Sequence, residues 1–242
     1  ICMQIALVLL ILGFFFAPIA SSANGDDRTC SSVGYTILTL NGIFTDEEGA
    51  KSNKRELERI LGRDHNNEPI KVDYLHNPSH LGGLGDLLKV VYQGLFDSET
   101  VEDYDLLEML KDASEKVKTQ KLLLVAHSQG NFYANSMYDV ITGGLDSLPV
   151  SLISQSAAPQ SISVYSVATP SGRVAGGGKW LTSNTDKVIA GIVGRGLKRP
   201  IMPPNTHIEL QEGDPPLGHK FSEVYLRYRG AEIVSGVKDS LN

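Results

Sequence analysis

The 242-residue chain is long enough for one domain with a substantial core, because single cores commonly extend to about 250 residues. Its composition, 41% hydrophobic and 21% charged, is that of an ordinary globular protein and excludes a disordered or low-complexity chain. The formal net charge of -6 lacks the basic character that nucleic acids and anionic membranes select in their partners. We therefore expect no nucleic-acid partner.

The first 23 residues are predicted to be a signal peptide rather than part of the fold. Residues 5–17 form an apolar run shorter than the roughly 20 residues of a spanning helix, and the small residues "SSA" ending at Ala23 suit cleavage there. Residues 1–23 contain no Lys or Arg, so an uncleaved membrane anchor is the alternative. We expect a periplasmic or secreted protein with residues 24–242 as a single domain. Cleavage would leave Cys30 as the one cysteine, so no internal disulfide is expected.

The elements that follow alternate between apolar strands and stretches of helical period, as in βαβ units around a mostly parallel sheet. A first strand is predicted from residue 35 ("YTILTLNG"). Thr45 and Glu48 form a capping-box pattern, which predicts a helix over 46–61 that stops at Gly62. A second strand is predicted from residue 70 ("IKVDYL").

The middle of the chain predicts two helices and a central strand. An apolar helix over 86–96 is interpreted as core, with a lid or acyl-pocket wall as the alternative. A helix over 99–118 has acidic residues early and lysines late, which suits the helix dipole. "KLLLVA" from residue 121 is fully apolar and therefore predicts a central strand that is buried on both faces.

The remaining elements are a helix over 129–142, strands from residues 162 and 179, an edge strand from residue 208 and a terminal helix over 221–229. Ser128 stands between the central strand and the first of these helices, in "AHSQGN". Small residues two positions before and after a serine at such a corner, here Ala126 and Gly130, let strand and helix approach closely. The pattern predicts a nucleophile elbow at the carboxyl edge of the sheet, where open α/β folds bind ligands.

The stretch "VAHSQGNFYAN", together with "LNGIFT" and "GHKFSEVYL", resembles the α/β-hydrolases, in particular bacterial lipases and esterases. The resemblance implies an α/β fold of three layers, with a mostly parallel central sheet and helices on both faces. It also implies a serine nucleophile, then an acid after a later strand, then a histidine near the C-terminus. No cofactor is implied.

A serine hydroxyl needs a base, and the base needs an acid that orients it. Asp186, in "WLTSNTDKV", resembles the family's acid, although it could instead be an acid at a helix N-terminus. Of the two downstream histidines, His219 is preferred as the base over His207, which is interpreted as structural. His127 is interpreted as a packing residue that points away from the nucleophile. The other downstream acids fit the expected order less well; they are Glu209, Glu212, Asp214 and Glu223.

The oxyanion formed by attack on an ester needs preorganised N–H donors. We predict the backbone N–H groups of Gln129 and Ile43, with Gly42 allowing close approach; an ordinary turn is the alternative for the loop of Ile43. His76 and His80 have metal-like spacing, but Pro78 between them breaks the helix that this spacing requires, so no metal is predicted.

The sequence therefore predicts a serine hydrolase that cleaves carboxylic esters through an acyl-Ser128 intermediate, with His219 as base and Asp186 as its orienting acid. The expected substrate is a small-molecule or lipid ester, with transient membrane or lipid contact. Two alternatives stay open. The fold could be a catalytically silent binding or effector protein, or the same triad could transfer the acyl group to an alcohol other than water.

Overall fold

The computed structural model describes residues 30–42, 45–76, 103–143, 161–193 and 200–242. Within these ranges six strands form one sheet in the order β2-β3-β1-β4-β5-β6. All neighbouring strands are parallel except β2 and β3, which form an antiparallel hairpin. The strands are β1 Ser31–Leu40, β2 Asp64–His65, β3 Glu68–Leu75, β4 Thr119–His127, β5 Ile162–Val167 and β6 Lys179–Leu181. The prediction of a mostly parallel sheet is confirmed.

Helices cover both faces of this sheet. They are α1 Glu47–Leu61, α2 Asp103–Lys116, α3 Gly130–Thr142, α4 Lys187–Val193 and α5 Arg227–Asp239, with a π-helix Phe221–Leu226 directly before α5. Side chains alternate along β4, so Leu124 packs with α2 and α3 on one face, whereas Leu123 packs with α1, α4 and α5 on the other. The predicted three-layer α/β architecture is confirmed, and β4 is the doubly buried central strand.

The C-terminal ends of β1 and β4 lie side by side at the centre of the sheet. Leu40 pairs with Ala126, the chain leaves β1 toward β3 on one side, and β5 and β6 extend the sheet on the other side of β4. Such a reversal of strand order opens a crevice beyond the carboxyl ends of the two strands. Residues that follow β1 and β4 therefore meet in one place.

Several predicted element ends differ from the observed ones. α1 is capped by Asp46, whose side chain accepts from the Gly49 N–H at 2.8 Å, and not by Thr45. The segment from Ile208 forms no strand; Thr206 makes an isolated bridge with Ser183. The terminal helical segment extends to Asp239 rather than residue 229, because Ile233 and Val237 pack against the sheet.

Several predictions fall on parts of the chain that are not described. The helix predicted over 86–96 and the signal peptide predicted over 1–23 both lie outside the described residues. No helix within the described ranges is long and apolar enough to cross a membrane. Cys30 is not a free thiol in this chain. The expectation of no internal disulfide concerns a chain cleaved after Ala23, and it stays a prediction.

Candidate active site

Ser128 lies on a sharp turn between β4 and α3, in a backbone conformation that residues with side chains rarely adopt. Its φ is 56°, and holding a non-glycine residue there costs of order 1–3 kcal/mol. The Ser128 N–H donates to the Val167 carbonyl at 3.1 Å, which ties the turn to β5. The Asn131 side-chain amide donates to the Ser128 carbonyl at 2.7 Å. This strand–turn–helix arrangement is the elbow that the sequence predicts.

Small residues on both sides of the serine allow this turn. Ala126 is completely buried, at 0% exposure, within the sheet. A Cβ on Gly130 would lie 2.6 Å from the Leu40 carbonyl oxygen and 3.0 Å from that of Asn41, both of them backbone atoms at the end of β1. Glycine is therefore required at position 130, whereas alanine is compatible with the elbow at position 126.

The structure brings His219 to Ser128. His219 Nε2 lies 2.8 Å from Ser128 Oγ, although the two residues are far apart in the chain. The His219 side chain is 15% exposed, so most of it is shielded from solvent. At this distance the Ser128 hydroxyl can donate its proton directly to the imidazole.

Asp186 accepts four hydrogen bonds and is completely buried. Its Oδ2 lies 2.7 Å from His219 Nδ1 and 2.8 Å from the Tyr225 hydroxyl. Its Oδ1 accepts from the backbone N–H groups of Val188 and Ile189, at 3.0 and 3.1 Å, in the first turn of α4. The position of Asp186 is compatible with both readings from sequence, because one oxygen caps α4 and the other faces His219. Because the carboxylate is fully hydrogen-bonded, its position is fixed.

Tyr225 is a part of this site that the sequence analysis did not identify. Its hydroxyl donates to Asp186 Oδ2 and accepts from the Ser183 N–H at 3.0 Å. Burial and the neighbouring Asp186 charge raise the pKa of Tyr225, so the phenol stays protonated and keeps donating. Tyr225 lies in the π-helix, and no sequence pattern indicates that its hydroxyl contacts Asp186.

The loop that carries His219 is anchored beside Asp186. The Lys187 N–H donates to the Leu217 carbonyl at 3.0 Å, and Lys187 Nζ donates to the Pro216 carbonyl at 2.7 Å. The residue next to the acid therefore holds the loop that delivers the histidine. This contact couples the positions of Asp186 and His219.

The two other candidate histidines have different surroundings. His207 is exposed, and its Nδ1 lies 2.8 Å from Asn184 Oδ1 rather than at Ser128. His127 is buried, as a packing residue would be, but it does not simply point away from the site: its Nε2 lies 2.7 Å from the His219 carbonyl oxygen. Burial, and secondly the nearby His219, lower the pKa of His127 well below its usual value, so the ring is neutral.

Of the two predicted oxyanion donors, Gln129 belongs to the described residues. Gln129 is 4% exposed and sits at the N-terminus of α3, where backbone N–H groups favour negative charge. A Cβ on Gly42 would lie 2.8 Å from Ser128 Cβ and 3.0 Å from its Oγ, so Gly42 lies directly beside the Ser128 side chain. Ile43 lies outside the described residues.

This close approach makes Gly42→Ala a steric probe of the site. The added methyl would displace the Ser128 side chain, and overpacking of this kind costs about 1–3 kcal/mol. A cost of that size in the barrier to Ser128 modification lowers its rate roughly 5- to 160-fold. The measurement is the rate of Ser128 modification by a fluorophosphonate. Gly191→Ala is the matched control, because a Cβ there meets nothing within 4 Å. Wild-type reactivity in Gly42→Ala would contradict the observed approach.

No metal-binding group is found in the described part of the chain, where no cluster of three or more His, Cys, Asp or Glu side chains could hold an ion. His76 belongs to that part, whereas Pro78 and His80 lie outside it. The prediction of no metal therefore stays a prediction.

Comparisons with known proteins give distant structural likenesses. No family model matches the chain, and no curated protein matches it. A Trichoderma reesei cutinase in complex with a C11Y4 phosphonate inhibitor is 17% identical, with a TM-score of 0.40 over 88% of this chain and 78% of that one. An oxidoreductase from Corynebacterium diphtheriae is 10% identical, with a TM-score of 0.31 over 87% of this chain and 98% of that one. Likenesses at this level carry no functional information.

Proposed function

We propose that the protein is a serine hydrolase that cleaves carboxylic esters through an acyl-Ser128 intermediate. One observation carries the proposal: an unbroken hydrogen-bonded chain runs from Ser128 Oγ through both nitrogens of His219 to a buried Asp186. Nucleophile, base and orienting acid in this geometry are the arrangement that activates a serine hydroxyl on unrelated folds.

In the first half of the reaction Ser128 Oγ attacks the ester carbonyl carbon and its proton moves to His219 Nε2. Asp186 holds the imidazole with Nδ1–H toward its Oδ2, so that Nε2 is bare and can take the proton. The tetrahedral intermediate then collapses. The bond from carbon to the alcohol oxygen breaks, and the leaving alcohol takes the proton from His219, which leaves an ester on Ser128.

In the second half a water molecule attacks the acyl carbon while His219 Nε2 accepts its proton. Collapse of this second intermediate breaks the bond to Ser128 Oγ, which regains the proton from His219, and the carboxylic acid is released. The enzyme returns to its starting state without a cofactor. The neutral His127 adds no positive charge beside the imidazolium that forms on His219 in both halves.

The negative charge on the former carbonyl oxygen would be met by backbone N–H groups. Gln129, directly after the nucleophile and at the start of α3, supplies one, and the loop containing Gly42 and Ile43 supplies the other. Gly42 has no Cβ and therefore lies close to the Ser128 side chain. This proximity supports the assignment, because the reacting carbon would be bonded to Ser128 Oγ.

Two wider features belong to the same proposal. The ester is lipid-like or a small acyl ester, and the protein contacts lipid transiently. The chain is exported, with residues 1–23 as its signal peptide and residues 24–242 as a single catalytic domain.

Hydrolysis of short- and medium-chain acyl esters by wild type and Ser128→Ala tests the proposal. Wild type should turn over, and Ser128→Ala should fall by about 10⁶-fold, because a triad without its nucleophile keeps only the contribution of binding and the oxyanion hole. Equal rates in the two proteins would contradict the proposal. Product analysis with added acceptor alcohols separates hydrolysis from acyl transfer, since a transferase would yield a new ester rather than the free acid.

A further inference from the structure

His127 lies against the base as well as beside the nucleophile. Its side chain is buried, its Nε2 is 2.7 Å from the His219 carbonyl oxygen, and its ring centroid is 4.8 Å from that of His219. The rings of Phe221 and Tyr225 lie at centroid distances of 5.4 and 6.1 Å. The His127 side chain therefore connects the end of β4, directly before Ser128, to the main chain that carries His219.

The contact to a carbonyl fixes the tautomer of His127. A carbonyl oxygen can only accept, so Nε2 carries the proton and Nδ1 is bare. That Nδ1 is buried and has no hydrogen-bond partner among the described residues, which costs free energy. An apolar ring would fill the same space without this cost. The feature that only the histidine supplies here is the N–H donor toward His219.

Hydrogen bonds anchor the loop on both sides of His219, and the Lys220 carbonyl also accepts from the N–H groups of Val224 and Tyr225. Upstream, Leu217 is held by the Lys187 N–H. Downstream, the Ser222 hydroxyl donates to the side-chain oxygen of Asn53 in α1. Between these two points His127 holds the His219 carbonyl. The imidazole of His219 branches from the residue whose peptide is fixed in this way.

We propose that His127 is a positioning residue for His219: its Nε2–H fixes the His219 peptide so that His219 Nε2 stays within hydrogen-bond distance of Ser128 Oγ. This inference rests on the proposed function, because it concerns the same site. A small displacement of a base from its nucleophile is costly to the rate, since proton transfer requires hydrogen-bond distance.

Two substitutions separate donation from ring packing. His127→Gln keeps an N–H donor near the position of Nε2 but loses the ring, whereas His127→Phe keeps a ring and loses the donor. For His127→Phe we expect kcat for ester hydrolysis to fall about tenfold or more with KM nearly unchanged, and for His127→Gln a kcat closer to that of wild type. Thermal unfolding of each variant is measured beside its kinetics. A lower kcat in His127→Gln than in His127→Phe, or equal values in the two, would overturn the proposal.

A measurement on the wild-type protein does not depend on how the variants fold. The ¹⁵N chemical shifts of the His127 imidazole at neutral pH should report a protonated Nε2 and a bare Nδ1. The opposite tautomer, with Nε2 bare, would overturn the proposal even if both variants were inactive. If wild type hydrolyses no ester, the proposed function fails on its own, while the ¹⁵N shifts still decide whether His127 Nε2 carries the proton that it would donate to the His219 carbonyl.

Discussion

His219→Ala is expected to lower kcat for ester hydrolysis by about 10⁶-fold, the size of effect seen when the base of a serine triad is removed. His219 Nε2 lies 2.8 Å from Ser128 Oγ, and it is the group placed to take that proton. Alanine leaves the hydroxyl near its ordinary acidity, at which it is a poor nucleophile. Initial rates on a short acyl ester, with circular dichroism to establish folding, measure the effect.

His207→Ala is the matched control for this substitution. His207 is the other histidine downstream of Ser128; it is exposed and hydrogen-bonds to Asn184. We expect wild-type kcat in His207→Ala. The reverse pattern, with activity lost in His207→Ala and kept in His219→Ala, would contradict the assignment of the base.

Asp186→Asn is expected to lower kcat by about 10⁴-fold through the wrong histidine tautomer. Oδ1 must remain an oxygen, because it accepts from the N–H groups of Val188 and Ile189. The new amide nitrogen would then face His219 Nδ1 and the Tyr225 hydroxyl, both of which donate in wild type. His219 can satisfy this nitrogen only by baring Nδ1 and protonating Nε2. A protonated Nε2 cannot accept the Ser128 proton.

Two variants show whether this effect is specific to the acid. Tyr225→Phe removes one donor from Asp186 but leaves its bond to His219, so we expect a smaller fall in kcat, about tenfold. Glu212→Gln changes an exposed downstream acid and should leave kcat unchanged. Asp186→Asn with kcat within about tenfold of wild type would show that the carboxylate does not set the tautomer.

The sequence predicts the central parts of this site because local signals and topology agree there. β4 is apolar and buried on both faces, and it is followed by a tight turn into α3. The small residues Ala126 and Gly130 on either side of Ser128 permit this turn. Parallel pairing of β1 with β4 then brings Gly42 to the serine. The expected order of serine, acid and histidine along the chain favours Asp186 and His219, and both residues lie at Ser128 in the structure.

The contacts that hold the site could not be predicted in this way because they join segments distant in the chain. The link from Tyr225 to Asp186 depends on a π-helix whose register has no clear sequence pattern. His127 next to Ser128 suggests a strand residue, and nothing nearby in the sequence indicates that its ring reaches the His219 carbonyl.

The N-cap of α1 differs from the prediction for a local reason. Asp46 caps the helix instead of Thr45, because a carboxylate is the stronger acceptor at a helix N-terminus.

The central claim is that Ser128 is activated by His219 and Asp186, and covalent labelling tests it most directly. Folded wild-type protein is treated with a fluorophosphonate, and the modified residue is mapped by mass spectrometry beside His219→Ala and Asp186→Asn. The account predicts label on Ser128 in wild type and none in either variant over the same time. Folded wild-type protein without label, or label on Ser128 that persists in both variants, would contradict it.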